Sequence, residues 1–293
     1  SEMASGICLD EGHVYQNQAG LASVIRVAIA GAAGRMGRAL VVACENHEAV
    51  TLQHAFEQPG HDAVGQSAGM LAGTTNRGPV IGDSIAGPPF DVLVDFTTPE
   101  TTLANLSYCA QHQARAVIGT TGFDAPQKEL MAKVSLETAV VLAPNMSIGV
   151  NVCLKLLEVA AQAFGDDVDI EVIEAHHRNK VDAPSGTALK MGEVVANTLG
   201  RSLDQEGVFS RHGHTGARQD RQIGFATVRA ADIVGEHSVW FAGAGERVEI
   251  THKASSREIY ANGALRCALW LAEQSTGLFD MQDVLGLRRH GID

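Results

Sequence analysis

The sequence predicts an α/β protein, in which a doubly wound parallel sheet is joined to a second, α+β domain with a mixed sheet. Over the first half of the chain, short β-branched and apolar runs alternate with stretches of helical periodicity. Strands that are apolar throughout are typical of a parallel sheet covered by helices on both faces. In the second half, strand-like runs follow one another without helices between them, which indicates a mixed or antiparallel sheet.

The first domain is predicted over residues 24–146, preceded by an N-terminal extension, residues 1–23. The extension has acidic side chains but neither Lys nor Arg, and it lacks an apolar run of secretory length, so we expect no signal peptide. The predicted strands of the domain are 24–30, 50–56, 91–95, 116–118 and 139–143, and its predicted helices are 35–45, 99–112 and 125–137.

The second domain is predicted over residues 147–256. Its first part combines helices with one charged strand, and its second part contains strands only. The predicted helices are 149–164 and 185–199, the predicted strands are 168–175, 223–229, 233–241 and 247–254, and a last helix is predicted over 256–275.

Composition excludes several classes of function. The net charge of −12 argues against nucleic-acid binding, which needs a cationic surface. No apolar run approaches the roughly 18 residues that a membrane-spanning helix requires. The five cysteines are scattered and form no C-x-x-C pair, so we expect free thiols, no structural zinc and a reducing, cytoplasmic location.

A glycine-rich turn lies between the first predicted strand and the first predicted helix. Its pattern is G-x-x-G-x-x-G, ending at Gly37. Glycines here allow a tight turn and a close approach of a pyrophosphate to the N-terminus of the helix, so the position predicts a dinucleotide site. The residues assigned to it are Gly31, Ala32, Ala33, Gly34, Arg35 and Met36.

The end of the second predicted strand bears on the choice of dinucleotide. Glu57 stands where a carboxylate can accept hydrogen bonds from the adenosine ribose and repel a 2′-phosphate, and Gln58 adds no positive charge. The pair favours NADH, whereas Arg35 leaves NADPH open as the cofactor.

Two later strand ends are predicted to complete the cofactor site. Ligands of doubly wound sheets bind outside the carboxyl ends of the strands, and short polar loops follow two strands there. The residues are Gly119, Thr120 and Thr121 in one loop, and Ala143, Pro144, Asn145 and Met146 in the other.

The segment 174–187 carries the densest chemistry. Four potentially cationic side chains fall within five residues of an acidic protein, namely His176, His177, Arg178 and Lys180. Ser185, Gly186 and Thr187 then open a helix, whose N–H groups and hydroxyls suit a carboxylate. A small dicarboxylate is the predicted ligand. Adjacent residues of an extended chain point to opposite sides, so His176 and His177 are poorly placed to share a metal ion, and we predict no metal site.

The chain from residue 24 to about 287 resembles the 4-hydroxy-tetrahydrodipicolinate reductase (dihydrodipicolinate reductase) family of bacterial lysine biosynthesis. The stretches VAIAGAAGRMGRAL, VIGTTGF, IEVIEAHHRNKVDAPSGTAL, IGFATVRAADIVGEH and ITHKASSREIYANGA carry the resemblance. It implies a Rossmann-like first domain completed by residues 257–293, and a second domain that binds substrate and forms a homotetramer.

The same resemblance implies roles for individual residues. His176 would be the general acid, and Lys180 would bind and polarise the substrate, with His177, Gly186 and Thr187 at its carboxylates. NADH or NADPH would be the cofactor. Many relatives carry Arg where Gln58 stands, so the departure reduces the expectation of efficient NADPH use.

Three other functions remain open from the residues alone. They are a dehydrogenase of similar plan that acts on an amino acid or keto acid, a lyase or aldolase that forms a Schiff base on Lys180, and a nucleotide sensor without catalysis.

Overall fold

The computed structural model describes residues 24–288, so the predicted N-terminal extension lies outside the described residues. Strands and helices alternate from the start of the described chain, as predicted. The elements of this part are β1 (Ile25–Ala30), α1 (Arg35–Glu45), β2 (Val50–Phe56), α2 (Ala68–Ala72), β3 (Val92–Asp95), α3 (Pro99–Gln111), β4 (Arg115–Ile118), α4 (Ala125–Val134) and β5 (Ala139–Leu142).

The elements of the second half begin with a long helix. In chain order they are α5 (Ile148–Phe164), β6 (Asp169–His176), α6 (Gly186–Thr198), α7 (Leu203–Glu206), β7 (Gly207–Val208), β8 (Ile223–Arg229), β9 (Gly235–Gly243) and β10 (Glu246–Ala254). The described chain then continues through α8 (Glu258–Leu271), β11 (Gly277–Phe279) and α9 (Met281–Val284).

The first sheet is parallel and Rossmann-like, which confirms the predicted fold class. Its strand order is β11-β5-β4-β3-β1-β2, and every pairing in it is parallel. Strand residues such as Val27, Val94 and Val117 are fully buried because helices cover both faces. The carboxyl ends of β1, β3, β4 and β5 therefore lie along one edge of the sheet, where ligands of this fold bind.

The second sheet is mixed, as predicted, with the order β10-β9-β6-β8-β7. β6 runs parallel to β8 and antiparallel to β9. One face packs against α5 and α6 through a core that includes Ile170, Val172 and Phe241. The opposite face carries partly exposed side chains such as Ile173, Val228 and Trp240.

The structure differs from the sequence prediction mainly in short elements. The helices α2 and α7 and the strands β7 and β11 were not predicted, because two to five residues are too few to show a period. The predicted helix 256–275 is shorter at both ends, because α8 begins at Glu258 and ends at Leu271. The chain then returns to the first sheet, where the Gly277 N–H donates to the Ser135 carbonyl. The strand predicted at 233–241 begins and ends two residues later, at Gly235–Gly243.

Within residues 24–288, none of the helices combines the length and apolar character needed to span a bilayer. The four cysteines of this part of the chain are free thiols, as expected, and they are buried like small hydrophobic residues.

Candidate active site

A cleft of about 1010 Å³ lies between the carboxyl edge of the first sheet and the segment after β6. Thr121, Ala143, Pro144 and Asn145 line it from the first domain. From the second domain, the residues that line it include His176, His177, Lys180, Ser185, Gly186 and Thr187. The structure therefore places the predicted proton donor and the two later cofactor loops in one cavity.

The glycine-rich turn has the shape that a pyrophosphate requires. Gly31 adopts a φ of +66°, and a β-carbon on Gly37 would lie 2.2 Å from the Gly31 carbonyl oxygen. Gly34 caps α1 without a side chain, and the N–H groups of Arg35 and Met36 have no partner within residues 24–288. These free donors at the positive end of the helix fit the phosphates of a dinucleotide.

Glu57 follows β2, and its side chain faces this turn. Its Oε1 accepts a hydrogen bond of 2.9 Å from the Ala33 N–H. The carboxylate thus lies beside the glycine-rich turn, at the strand end where an adenosine ribose binds in this fold. Neither Glu57 nor the turn lines the cleft described above, because both lie farther along the same edge of the sheet, beyond β3.

A buried carboxylate organises the loop that contains Gly119 and Thr120. Asp95, at the end of β3, is fully buried, and its Oδ1 accepts hydrogen bonds from the N–H and hydroxyl of Thr97. Thr120 is also buried and donates to Asp95 at 3.4 Å. The side chain of Thr120 is therefore internal to the protein, whereas Thr121 faces the cleft.

The loop after β5 brings the two domains into contact. The Asn145 side-chain amide donates to the Thr187 hydroxyl at 3.1 Å, which joins a predicted cofactor residue to a predicted substrate residue. Asn151 on α5 donates to the Asn145 carbonyl at 2.9 Å and so attaches this loop to α5. Met146 has a buried side chain, so the group that it can offer to a ligand is its backbone.

His176 is the last residue of β6, and a carboxylate holds its ring. Its Nδ1–H donates to Glu174 Oε2 at 2.6 Å, and Nε2 has no hydrogen bond within the described chain. Gly235 on β9 leaves room for the ring, because a β-carbon there would lie 3.1 Å from Nε2. With Nδ1 engaged, Nε2 is the nitrogen that can exchange a proton with a ligand.

Glu174 is almost fully buried and charged. Burial opposes its ionisation, but hydrogen bonds from Arg229 and His176 hold the pKa of Glu174 below its ordinary value. Because an ionised carboxylate can only accept hydrogen bonds, it fixes the proton of His176 on Nδ1. Glu174 and His176 are two residues apart on a strand, so their side chains lie on the same face of the sheet.

The loop after His176 is tied down at several points. The Arg178 N–H donates to the Ala231 carbonyl at 3.1 Å, and the Ala230 N–H donates to the His176 carbonyl at 2.9 Å. Lys180 extends into the cleft, where its ammonium pairs with the Asp182 carboxylate at 2.8 Å. Hydrogen bonds from Lys180 lower the pKa of Asp182 below its ordinary value.

The start of α6 offers backbone donors to an anion. Ser185 caps the helix, since its hydroxyl accepts from the Ala188 N–H at 3.1 Å and contacts His237 Nε2 at 2.8 Å. The Ser185 N–H is also engaged, with Glu174 at 3.1 Å. The N–H groups of Gly186 and Thr187 have no acceptor within residues 24–288 and are the donors left for a ligand.

Several cleft residues were not predicted to have a role in the site. Arg257, at the start of α8, contacts His177 Nε2 at 3.4 Å and has no acidic partner in the part of the chain that the structure describes. Tyr260 on α8 also lines the cleft, and burial raises the pKa of its hydroxyl. Both lie within the stretch that carries the family resemblance, but they are far from His176 in sequence, so local spacing gave no signal.

Family models match both halves of the chain. The model described as dihydrodipicolinate reductase, N-terminus, matches residues 25–146, and the model described as dihydrodipicolinate reductase, C-terminus, matches residues 149–285.

Individual relatives agree with these models. A 4-hydroxy-tetrahydrodipicolinate reductase from Methylococcus capsulatus is 57% identical over 267 residues, which cover 90% of this chain and 99% of the relative. A dipicolinate-bound dihydrodipicolinate reductase from Paenisporosarcina sp. superposes with a TM-score of 0.69 at 24% identity, covering 89% of this chain and 98% of that one. GenD2 from gentamicin A biosynthesis, in complex with NAD, has the same fold at a TM-score of 0.54 and 13% identity, with coverages of 97% and 91%.

Proposed function

Since this chain belongs to the dihydrodipicolinate reductase family, we propose that it reduces (2S,4S)-4-hydroxy-2,3,4,5-tetrahydrodipicolinate to tetrahydrodipicolinate with NADH or NADPH. The reaction belongs to the diaminopimelate route of lysine biosynthesis. The observation that carries the proposal is the shared cleft, which His176 and the start of α6 line together with loops of the first sheet.

The first domain has the groups needed to hold the cofactor. The glycine-rich turn and the uncapped start of α1 receive the pyrophosphate, and Glu57 receives the adenosine ribose. Residues 119–121 and 143–146 lie at the nicotinamide end. When bound, the reduced nicotinamide supplies the hydride. We assign this function to residues 24–146 with 257–293, and substrate binding to 147–256.

His176 is the general acid. Loss of the 4-hydroxyl group as water gives a conjugated imine. Hydride addition to this imine leaves electron density in the substrate, which must take up a proton at carbon, and Nε2 is the nitrogen of His176 that has no hydrogen bond within the described chain. Glu174 keeps the opposite nitrogen protonated, so the ring presents a donor at Nε2 when it is charged.

Lys180 and the start of α6 bind the substrate. The free N–H groups of Gly186 and Thr187 donate hydrogen bonds to one substrate carboxylate, while His177 and Lys180 line the same cleft. Lys180 exchanges its Asp182 partner for the substrate and stabilises the negative charge that develops on reduction. Ser185 contributes by holding this helix start in place.

The cofactor preference follows from the end of β2. Glu57 repels a 2′-phosphate, and Gln58 offers no compensating charge, so NADH is favoured over NADPH. Arg35, which is exposed at the start of α1 in the glycine-rich turn, keeps NADPH as a slower alternative.

The enzyme acts as a homotetramer in the cytoplasm. The face of the mixed sheet that points away from α5 and α6, with Ile173, Val228 and Trp240, provides a partly exposed apolar surface for contacts between second domains. Free buried cysteines suit a reducing compartment.

The test is a coupled assay in which an upstream synthase makes the hydroxylated substrate in situ. We expect consumption of NADH to exceed that of NADPH, and the Gln58→Arg variant to shift the ratio toward NADPH, with Gln113→Arg as a distant control. Consumption with an amino acid or keto acid, but none with the cyclic diacid, would assign the chain to a different dehydrogenase reaction.

A further inference from the structure

We propose that Glu174, clamped by Arg229, is the positioning residue that fixes the proton donor, the start of α6 and the Lys180 loop relative to one another. The inference rests on the proposed function and concerns how the Glu174–Arg229 pair holds the residues of the site in place. Each of the three elements contacts the Glu174–Arg229 pair through a different atom.

The two carboxylate oxygens of Glu174 serve different elements. Oε2 accepts from His176 Nδ1 at 2.6 Å, and Oε1 accepts from the Ser185 N–H at 3.1 Å. Ser185 is the residue that caps α6. One rigid group thus sets the distance between the general acid and the helix start that receives a substrate carboxylate.

Arg229 on β8 holds this carboxylate from the other side. Its two terminal nitrogens donate to the two oxygens of Glu174 at 2.8 Å each, in a bidentate pair. One of them also donates to the Asp182 carbonyl at 2.7 Å. Asp182 in turn pairs with Lys180, so the Glu174–Arg229 pair is connected through Asp182 to the Lys180 ammonium.

Glu174 is the carboxylate that contacts the His176 ring, and the other charged groups nearby have different partners or positions. The charged and titratable groups that face the pair from the neighbouring elements are Arg229 on β8, His237 on β9, His252 on β10 beside His237, and Lys180 and Asp182 on the loop after β6. Asp182 is engaged by Lys180, and His237 meets the His176 ring edge-on at a centroid distance of 5.0 Å.

Two consequences follow for the reaction. The ring of His176 is held in one orientation by its Nδ1 hydrogen bond, which leaves Nε2 as the free nitrogen and favours proton transfer from one fixed side-chain conformation. The charge of Glu174 also stabilises the positive charge that the ring carries when it donates a proton, so the pH profile of kcat should depend on this carboxylate.

The experiment compares Glu174→Gln with Glu171→Gln. Glu171 lies on the same strand and is held by two arginines, Arg211 and Arg218, but it does not contact His176. For Glu174→Gln we expect kcat to fall on the order of 10²-fold, the lower end of what a positioned general acid contributes. We expect the NADH dissociation constant to stay as in the wild type, and the alkaline limb of kcat against pH to move to lower pH. Glu171→Gln should leave all three unchanged.

A second readout does not need turnover. In protein labelled with ¹⁵N-histidine, the Nδ1 proton of His176 should give a strongly downfield NMR signal in the wild type and in Glu171→Gln, and this signal should be lost in Glu174→Gln. If the wild type fails to turn over the cyclic diacid, the proposed function fails, while the signal still tests the positioning role.

Results of three kinds would overturn the inference. They are kinetics of Glu174→Gln equal to those of Glu171→Gln, a loss of rate that is uniform across pH, or a downfield signal that survives the substitution. If Glu174→Gln does not fold, Arg229→Lys replaces it, because a lysine keeps the charge but cannot bind both oxygens and the Asp182 carbonyl together. This variant should raise KM for the substrate several-fold without moving the alkaline limb of kcat against pH. A KM equal to that of the wild type would contradict the role of Arg229 in holding Glu174 and the Lys180 loop.

Discussion

Gly37 and Gly186 both lie in the first turn of a helix, but the chain needs them for different reasons. A β-carbon on Gly37 would meet the backbone of the glycine-rich turn, whereas one on Gly186 would meet nothing within 4 Å. We expect Gly37→Ala to destabilise the protein by about 1–3 kcal/mol and to abolish NADH binding. Gly186→Ala should keep the melting temperature and NADH affinity but raise the substrate KM roughly 10-fold or more, because the methyl group fills ligand space.

Thermal melts, NADH fluorescence titration and steady-state kinetics of the two glycine variants check this prediction. A substrate KM that is unchanged in Gly186→Ala would show that the start of α6 does not receive the substrate.

Lys180 is the second residue with a direct test. We expect Lys180→Ala to lower kcat/KM on the order of 10²-fold, with changes in both kcat and KM, because the ammonium contacts the bound and the reacting substrate. Lys253→Ala is the control, since Lys253 forms an exposed ion pair with Glu236 on the second sheet. Borohydride trapping of substrate on Lys180 would instead favour a Schiff-base lyase.

At the level of single residues, the sequence predicted the groups that meet a ligand better than the groups that hold them. His176, Lys180 and Gly186 stand in a dense, distinctive segment. Arg229 and Arg257 reach the same site from strands and helices more than 50 residues away, and only the folded chain brings them there. The strand spacing of Glu174 and His176 was a usable signal, because alternate residues share a face.

At the level of elements, the start of α6 depends on a buried histidine. His237 on β9 contacts the capping hydroxyl of Ser185, and burial lowers the pKa of His237 from 6.5 to about 4. Between pH 6.5 and pH 4, His237 therefore binds a proton in the unfolded chain but not in the folded chain. Stability is present above this window and is lost as the pH falls through it, by on the order of 3 kcal/mol.

Urea denaturation at pH 7 and pH 4.5 measures this effect. The loss of unfolding free energy on acidification should be smaller in His237→Gln than in the wild type, and His212→Gln, in an exposed loop, should behave as the wild type. An equal loss in all three proteins would mean that His237 does not contribute to the acid sensitivity.

The long elements were predictable because their burial repeats with a clear period. Helix α1 begins at Arg35 and ends at Glu45, as the sequence indicates, and β8 matches the predicted bounds at Ile223–Arg229. The three-residue strand β11 was missed because Gly277–Phe279 has no alternation of its own and becomes a strand only by pairing with β5. Its position is a consequence of tertiary structure.

At the level of the whole molecule, assembly should depend on the outer face of the mixed sheet. If the proposed tetramer forms through this face, Val228→Asp should convert it into smaller species in sedimentation velocity, because the substitution puts a charge on a half-exposed apolar strand. Leu136→Asp is the control, since Leu136 is equally apolar and more exposed but lies on the first domain. A Val228→Asp protein that remains tetrameric would place the interface elsewhere.

The most direct test of the account is the turnover of His176→Gln measured together with its NADH affinity. If the general acid lies across the cleft from the cofactor, kcat should fall on the order of 10²- to 10⁴-fold while the NADH dissociation constant stays at the wild-type value. A variant that reduces the cyclic diacid at the wild-type rate would contradict the placement of the proton donor in this cleft.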